Sequence, residues 1–273
     1  MGLQSTTQNL KAKNLLSWLD VLALLAWGGL LLRYWTTGQL KLLIHPNYFW
    51  LVLVTGIVLL SLGILRSWQI WTDWRKSKND IEDRENVQHI TLFPLGVASG
   101  ILIATALAGY LIAPTVLASQ AALQRGVTES LPITRSQPQS FRTETKPEER
   151  SIIDWIRTLN AYPEPDAYAG QKVKVTGFVV HLPHLQDNYL LISRFIITCC
   201  AVDAYPVGLP VKLETSRSDY PPDTWLEIEG EMTVETLPLN EQKMNETTSE
   251  KRQLAIAAKS LKKIPTPADP YSY

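Results

Sequence analysis

Hydrophobic and polar positions divide this chain near its middle. Residues 1–125 hold long uncharged apolar runs, and residues 126–273 alternate apolar with polar positions as a soluble domain does. Three runs have membrane length, at about 15–35, 46–68 and 92–113. A hydrocarbon core of about 30 Å takes roughly 20 helical residues, so each run predicts a transmembrane helix. Trp18, Tyr34, Trp35, Tyr48, Trp50, Trp68, Trp71 and Trp74 fall near the expected helix ends, where amphipathic rings favour the headgroup level. The spacing of Trp68, Trp71 and Trp74 carries the second helix past Leu65 on one face.

The pattern then changes twice. Residues 119–147 are rich in Ser, Thr, Gln and Pro without an apolar period, and predict a linker. Ile152, Ile156 and Leu159 recur at helical spacing until Pro163, and predict a short amphipathic helix. From Gly170 the period becomes two. "KVKVTGFVV", "YLLISRFII", "VGLPVKLE", "TWLEIEGEMTVE" and "QLAIAAKSLKKI" predict five strands, with Gly177 and Gly230 marking bends or bulges. Five bent strands in about 100 residues suit a small OB-like Greek-key barrel, with a plain β-sandwich as the other architecture. The expected fold class is an α+β membrane protein: a transmembrane domain over 1–118, a linker over 119–147, and an OB-like domain with one flanking helix over 148–273.

Cations set the expected orientation. Lys11 and Lys13 precede the first helix, and Arg66, Arg75, Lys76, Lys78 and Arg84 lie between the second and third. The opposite side carries only Arg33 and Lys41 near the membrane. The positive-inside rule puts the N-terminus in the cytoplasm and, after three spans, the C-terminal domain outside it. The localisation expected is multi-pass in the plasma (inner) membrane. "PTVLASQ" resembles a cleavage site after Ala118, which leaves open an alternative in which the domain is released.

Charge narrows the function classes. The 26 basic and 26 acidic residues cancel, and the strand region lacks a basic stripe interleaved with aromatics, so no nucleic acid partner is expected. Asp20 and Arg33 lie 13 residues apart on the first helix, about 20 Å along its axis, too far to pair within it. Both are expected near the membrane interface. Three helices with so few polar groups do not make an autonomous transporter. Gly96, Gly100, Ala104 and Ala108 put a small residue at every fourth position of the third helix. Such a stripe admits a close neighbour, either a partner membrane protein or the first two helices.

The two cysteines of the chain, Cys199 and Cys200, are adjacent, and Asp203 follows. Four readings stand. They are buried small apolar residues; or a vicinal disulfide, strained because neighbouring Cα atoms are about 3.8 Å apart; or, with Asp203, a site for a soft metal such as zinc or copper; or part of a recognition loop shaped by Pro206, Gly208 and Pro210. His181 and His184 are unsuited as further ligands, because a hairpin that pairs His181 near Tyr189 puts Cys199 opposite Gln171.

"GQLKLLIHPNYFWLVLVTGIVLLSLG", "YAGQKVKVTGFV", "SRFIITCCAVDAYPVGLPV", "DTWLEIEGEM" and "PTPADPYSY" resemble the YcgQ-like family of bacterial permease subunits. The doubled Cys followed by x-x-Asp-Ala is the most specific of these stretches. The resemblance implies a non-enzymatic auxiliary subunit of a multi-spanning membrane permease, whose substrate, a metal ion among the choices, it does not fix. It carries over no catalytic residue. A loop of Arg194, Cys199, Cys200 and Asp203 facing ligand or partner is the expected site, and Arg194 and Asp203 are expected to order it. The alternative is a membrane-anchored exocytoplasmic thiol redox or metal-binding protein.

Overall fold

The computed structural model describes residues 2–76, 96–127, 146–238 and 250–273. Lys78, Arg84, the start of the third run at 92 and most of the expected linker lie outside the described residues. The chain forms two compact units, Met1–Thr115 and Val116–Tyr273.

The first unit is helical: α1 spans Gly2–Thr36, α2 Phe49–Lys76 and α3 Val97–Leu111. Two segments are long and apolar enough to cross a membrane, Leu15–Thr36 and Pro46–Asp73. Only 22% and 11% of their apolar windows is buried within the chain, far less than a soluble core helix requires. As the Trp spacing predicts, α2 continues beyond Leu65, to Lys76. The third element is shorter than foreseen. At 15 residues, α3 is about 22 Å long, and Ile112 at its end is already extended.

α1 packs antiparallel on α2 through glycines: a Cβ at Gly28 would lie 2.8 Å from Leu60, and one at Gly63 would lie 2.7 Å from Leu25. α3 runs parallel to α1. The Asp20 carboxylate accepts from the Ser99 hydroxyl, Trp27 Nε1 donates to the Leu102 carbonyl at 2.9 Å, and Arg33 Nη1 donates to the Tyr110 carbonyl at 2.9 Å. Asp20 and Arg33 thus hold the two ends of α3, a role the sequence reading did not give them.

Beyond Gly96, where a Cβ would lie 2.5 Å from Leu16 of α1, the small-residue stripe does not make this contact. Ser99 and Ala106 are the buried residues of α3, whereas Gly100, Ala104 and Ala108 are exposed, and a Cβ at Gly100 would meet nothing within 4 Å. Gly96 caps the helix at φ 86° outside its regular turns. Of the two neighbours the stripe could admit, the first two helices take up Gly96 alone, and Gly100, Ala104 and Ala108 face away from them. A small residue at every fourth position marks one face, and here the opposite face is buried.

The second unit is built on a six-stranded sheet, with α4 (Ser119–Arg125) and α5 (Ile152–Ala161). α4 corrects the expected linker. It has no apolar period because its buried positions are the small residues Ser119 and Ala122. α5 begins at a capping box, with Ser151 accepting from the Asp154 N–H and the Asp154 carboxylate accepting from the Ser151 N–H. It buries Ile152, Trp155 and Ile156.

The strands are β1 Lys172–Val180, β2 Tyr189–Ile196, β3 Tyr205–Lys212, β4 Trp225–Pro238, β5 Glu250–Ile264 and β6 Tyr271–Ser272. Their order is β1-β4-β5-β3-β2-β6, and β1 also pairs β2. Pairing along β1-β4-β5-β3-β2 therefore returns to β1, with β3–β5 parallel and the other pairs of this ring antiparallel. The inward residues include Val175 and Val179, Leu190 and Ile192, Leu209 and Val211, Ile228 and Ile256. They are Val, Ile and Leu at every second position, the pattern that buries one face of a strand.

Both interior glycines have steric reasons. A Cβ at Gly177 would stand 2.5 Å from the Ser193 carbonyl, where β2 closes on β1. A Cβ at Gly230 would stand 2.2 Å from the Ala257 carbonyl, beside the bulge that separates Glu229↔Ser260 from Gly230↔Ala258. β1 meets β2 only over Phe178–Val180, so Cys199 does not lie opposite Gln171, whose carbonyl instead accepts from the Met232 N–H.

Candidate functional site: a vicinal thiol loop

β2 and β3 pair from Tyr189↔Lys212 to Ile196↔Tyr205, and the loop between them carries the thiols. Its two ends are fixed. Ile197 is buried and its N–H donates to the Ser272 carbonyl of β6 at 3.0 Å; Ala204 is buried at the other end. Between these anchors the chain stands out from the sheet, with Cys199 exposed, Cys200 half-buried and Val202 86% exposed at the tip.

Asp203 organises this loop. Its Oδ2 accepts from the Cys199 N–H at 2.8 Å and its Oδ1 from the Cys200 N–H at 3.0 Å, while its own N–H donates to the Cys200 carbonyl at 3.1 Å. One short side chain thus satisfies two main-chain donors at a turn, the bonding for which Asp is suited. The turn brings the Cys199 and Cys200 sulfurs 3.6 Å apart as free thiols. The two sulfurs and an Asp203 oxygen lie within 4.8 Å of one another, and no histidine joins them among the described residues. His181 Nε2 instead faces the Tyr220 carbonyl at 2.9 Å. His184 lies half-buried in a separate cavity of about 370 Å³ with Leu182, Leu191 and Pro210, and burial holds its pKa down.

The two thiols differ electrically. A hydrogen bond to Asp203, reinforced by one with Cys200, pushes the Cys199 thiol up to about 12. Cys200 is shifted the other way by the Val202 N–H first, then by the Cys199 side chain and the Asp203 N–H. Burial pushes the Asp203 carboxyl up, but donation from the Cys199 thiol and the N–H groups of Cys200, Cys199 and Thr198 outweighs it and holds the carboxylate low. The first thiolate to form is that of Cys200, beside a Cys199 that keeps its proton.

Of the residues expected at the loop, Cys199, Cys200 and Asp203 come together and Arg194 does not. Arg194 lies within β2 and turns to the C-terminal segment, donating from Nη2 to the Asp269 carbonyl at 2.5 Å and from Nε to the Pro270 carbonyl at 3.4 Å. Its guanidinium is also 5.8 Å from the Trp225 ring centre. It secures β6, which pairs Phe195↔Tyr271 and Ile196↔Ser272, and so acts on the thiol loop through the Ile197–Ser272 bond.

The residue that grips the loop directly is Arg125, at the end of α4. Its Nη1 donates to the Ala201 carbonyl at 3.2 Å and to the Ala204 carbonyl. α4 is itself held, because the Leu117 N–H donates to the Tyr271 hydroxyl at 2.8 Å and the Ser119 N–H to Asp223 Oδ1 at 2.5 Å. No motif marks Arg125. The only signal in the sequence is an isolated cation after a long uncharged stretch.

Comparison with curated proteins gives no match, and comparison with solved structures gives none either. The DUF1980 N-terminal domain matches residues 19–128, and the DUF1980 C-terminal domain matches residues 143–273. The first of these covers α1 from Leu19 onward, α2 and α3, and the second covers α5 and every strand, the thiol loop included. With both domains present in order over most of its length, the chain belongs to the DUF1980 family.

Proposed function

We propose that this protein is a non-enzymatic auxiliary subunit of a multi-spanning membrane permease, and that its β-domain presents Cys199, Cys200 and Asp203 to a soft metal ion outside the cytoplasm. The carrying observation is the cluster itself: three metal-competent side chains within 4.8 Å on an exposed hairpin loop. Two apolar segments of membrane length support insertion in the bilayer. In this reading the third apolar run, at about 92–113, is a third span, the cytoplasmic side is that of the N-terminus, and the membrane is the bacterial plasma (inner) membrane. The pairing that returns from β2 to β1 supports an OB-like barrel. The exposed Gly100, Ala104 and Ala108 provide a face on which a partner helix can approach closely.

Affinity purification of the tagged chain from its own membranes in mild detergent, followed by mass spectrometry, tests this. A stoichiometric multi-spanning permease is the expected companion. Recovery of the chain alone overturns the subunit reading.

One observation favours a second reading, a membrane-anchored thiol redox protein. The sulfurs are 3.6 Å apart, and the pKa of the Cys200 thiol is lowered. It requires a reversible Cys199–Cys200 disulfide. Mass spectrometry of trapped thiols across a range of redox buffers decides it, and thiols that stay reduced throughout exclude it.

A further inference from the structure

Resting on the reading of the loop as a metal-handling site, we infer that it takes a monovalent soft cation of the cuprous class on its two sulfurs alone, with Asp203 holding the loop and not the ion.

The sulfurs are already placed for a shared ion. Two thiolates bound to one ion at about 2.3 Å stand roughly 3.8 Å apart at a tetrahedral angle and roughly 4 Å apart at the trigonal angle that a third, incoming sulfur gives a cuprous ion. Those of Cys199 and Cys200 are 3.6 Å apart. The main chain that carries them is fixed, since both N–H groups between which the thiols project are bound to Asp203.

Asp203 is the remaining donor in the cluster, and each of its oxygens already accepts a main-chain N–H. Oδ2 takes the Cys199 N–H and Oδ1 the Cys200 N–H. An ion on either oxygen would compete with those donors, which hold the turn that brings the sulfurs together. Outer groups that orient metal ligands in this way are a regular part of metal sites. Among the described residues no histidine and no second carboxylate joins the group. The loop therefore offers two sulfurs where a closed zinc site takes four ligands. Thiolates select soft ions, and Cu⁺ is satisfied by two or three of them.

Exposure of Cys199 and of the neighbouring Val202 leaves one side of such an ion open. An open side suits hand-over by ligand exchange to another thiolate or thioether, and not permanent storage. Both sulfurs lie on one hairpin loop held at its ends by Ile197 and Ala204, so the ion need not bridge separate elements of the fold.

The test uses the full-length chain in mild detergent, kept reduced and free of oxygen. It is titrated with Cu⁺ against a chromophoric Cu⁺ chelator, and separately with Zn²⁺ against a chromophoric Zn²⁺ chelator. The copper-loaded protein is then examined by X-ray absorption. The expected result is a single Cu⁺ per chain in a shell of sulfur with no oxygen from the protein. Cys199→Ser and Cys200→Ser each lose it. Asp203→Asn keeps the sulfur shell while affinity falls about 10–100-fold, as for other outer-shell changes. Preferential uptake of Zn²⁺ with an oxygen in its shell, or uptake of neither ion, overturns the inference. The spectrum of the unaltered protein decides the shell even if a variant folds poorly. A permease that co-purifies with a zinc-preferring chain removes the cuprous assignment alone. Cu⁺ binding by a chain recovered without a permease removes the subunit reading alone.

Discussion

Arg125 at the end of α4 donates to the Ala201 carbonyl across 3.2 Å, and so ties a helix to the outer turn of the thiol loop. The second bond from the same nitrogen, to the Ala204 carbonyl, lies at the point where the loop rejoins β3. A latch of this kind sets how far the loop opens without touching either thiol.

Replacing Arg125 with Met keeps the alkyl stem and removes both bonds. Hydrogen bonds from a charged donor contribute about 1.5–3 kcal/mol when enclosed, and an exposed guanidinium gives less, so the loop is expected to lose about 1 kcal/mol. Amide exchange at Thr198–Ala204 should then quicken roughly fivefold while exchange in β1 and β4 stays unchanged. Equal exchange in the two proteins would show that Arg125 does not restrain the loop.

The thiols should titrate separately. Cys200 is shifted down by main-chain N–H groups, whereas Asp203 pushes Cys199 up to about 12. Raising the pH from neutrality removes the Cys200 proton first, because the folded loop binds the Cys199 proton more tightly than a free thiol does. Alkylation near neutral pH is therefore expected almost wholly on Cys200, and peptide mass spectrometry checks it. Asp203→Asn removes the charge that retains the Cys199 proton, so labelling of Cys199 should begin at lower pH. Equal labelling of both thiols at every pH would contradict the assignment.

Gly177 allows β2 to close on β1, with the Ser193 carbonyl 2.5 Å from where a Cβ would stand. The obstacle is main chain, so it cannot swing aside as a flexible side chain would. Overpacking of this kind costs about 1–3 kcal/mol, and Gly177→Ala is expected at the upper end. Thermal unfolding of the β-domain signal checks it. Gly170→Ala at φ +78° meets no atom within 4 Å, and separates strain in the backbone from collision.

Gly100 makes the opposite case. A Cβ there meets nothing within 4 Å, so Gly100→Leu should not lower the helical unit's melting temperature in detergent. The same substitution should reduce recovery of a permease partner several-fold if the exposed stripe is its docking face. Unchanged recovery would move the partner contact elsewhere.

Much of this was legible in the chain because the physics is local. Alternating Val and Ile residues mark five strands, and Ser151 with Asp154 marks the start of α5, since each of these signals acts within a few residues. The cluster of Cys199, Cys200 and Asp203 was readable for the same reason. What acts across the chain was not. Arg125 meets its loop 76 residues away, and Tyr271 meets Leu117 154 residues away. Arg194 shares a strand with the loop yet binds the segment 75 residues further on, so adjacency suggested the wrong partner. The buried face of α3 was not legible because Ser99 and Ala106 are also small, and spacing alone does not choose between two small faces.

The ring of strands also sets a timetable. β2 and β3 are neighbours in the chain, but Lys172 of β1 waits for Glu231 of β4, and Val211 of β3 waits for Ile256 of β5. Contacts so distant in sequence must overcome a large loop-closure entropy before they stabilise anything, and domains rich in them assemble slowly. Until β4 and β5 arrive, the outer edges of β1 and β3 offer unpaired main-chain groups to any passing strand. The segment bearing the thiols is therefore synthesised before the strands that complete the domain. Exposed to oxidants in that interval, Cys199 and Cys200 have time to pair with each other or with a thiol of another molecule, so the maturation of this protein is expected to be sensitive to whatever keeps nascent thiols reduced.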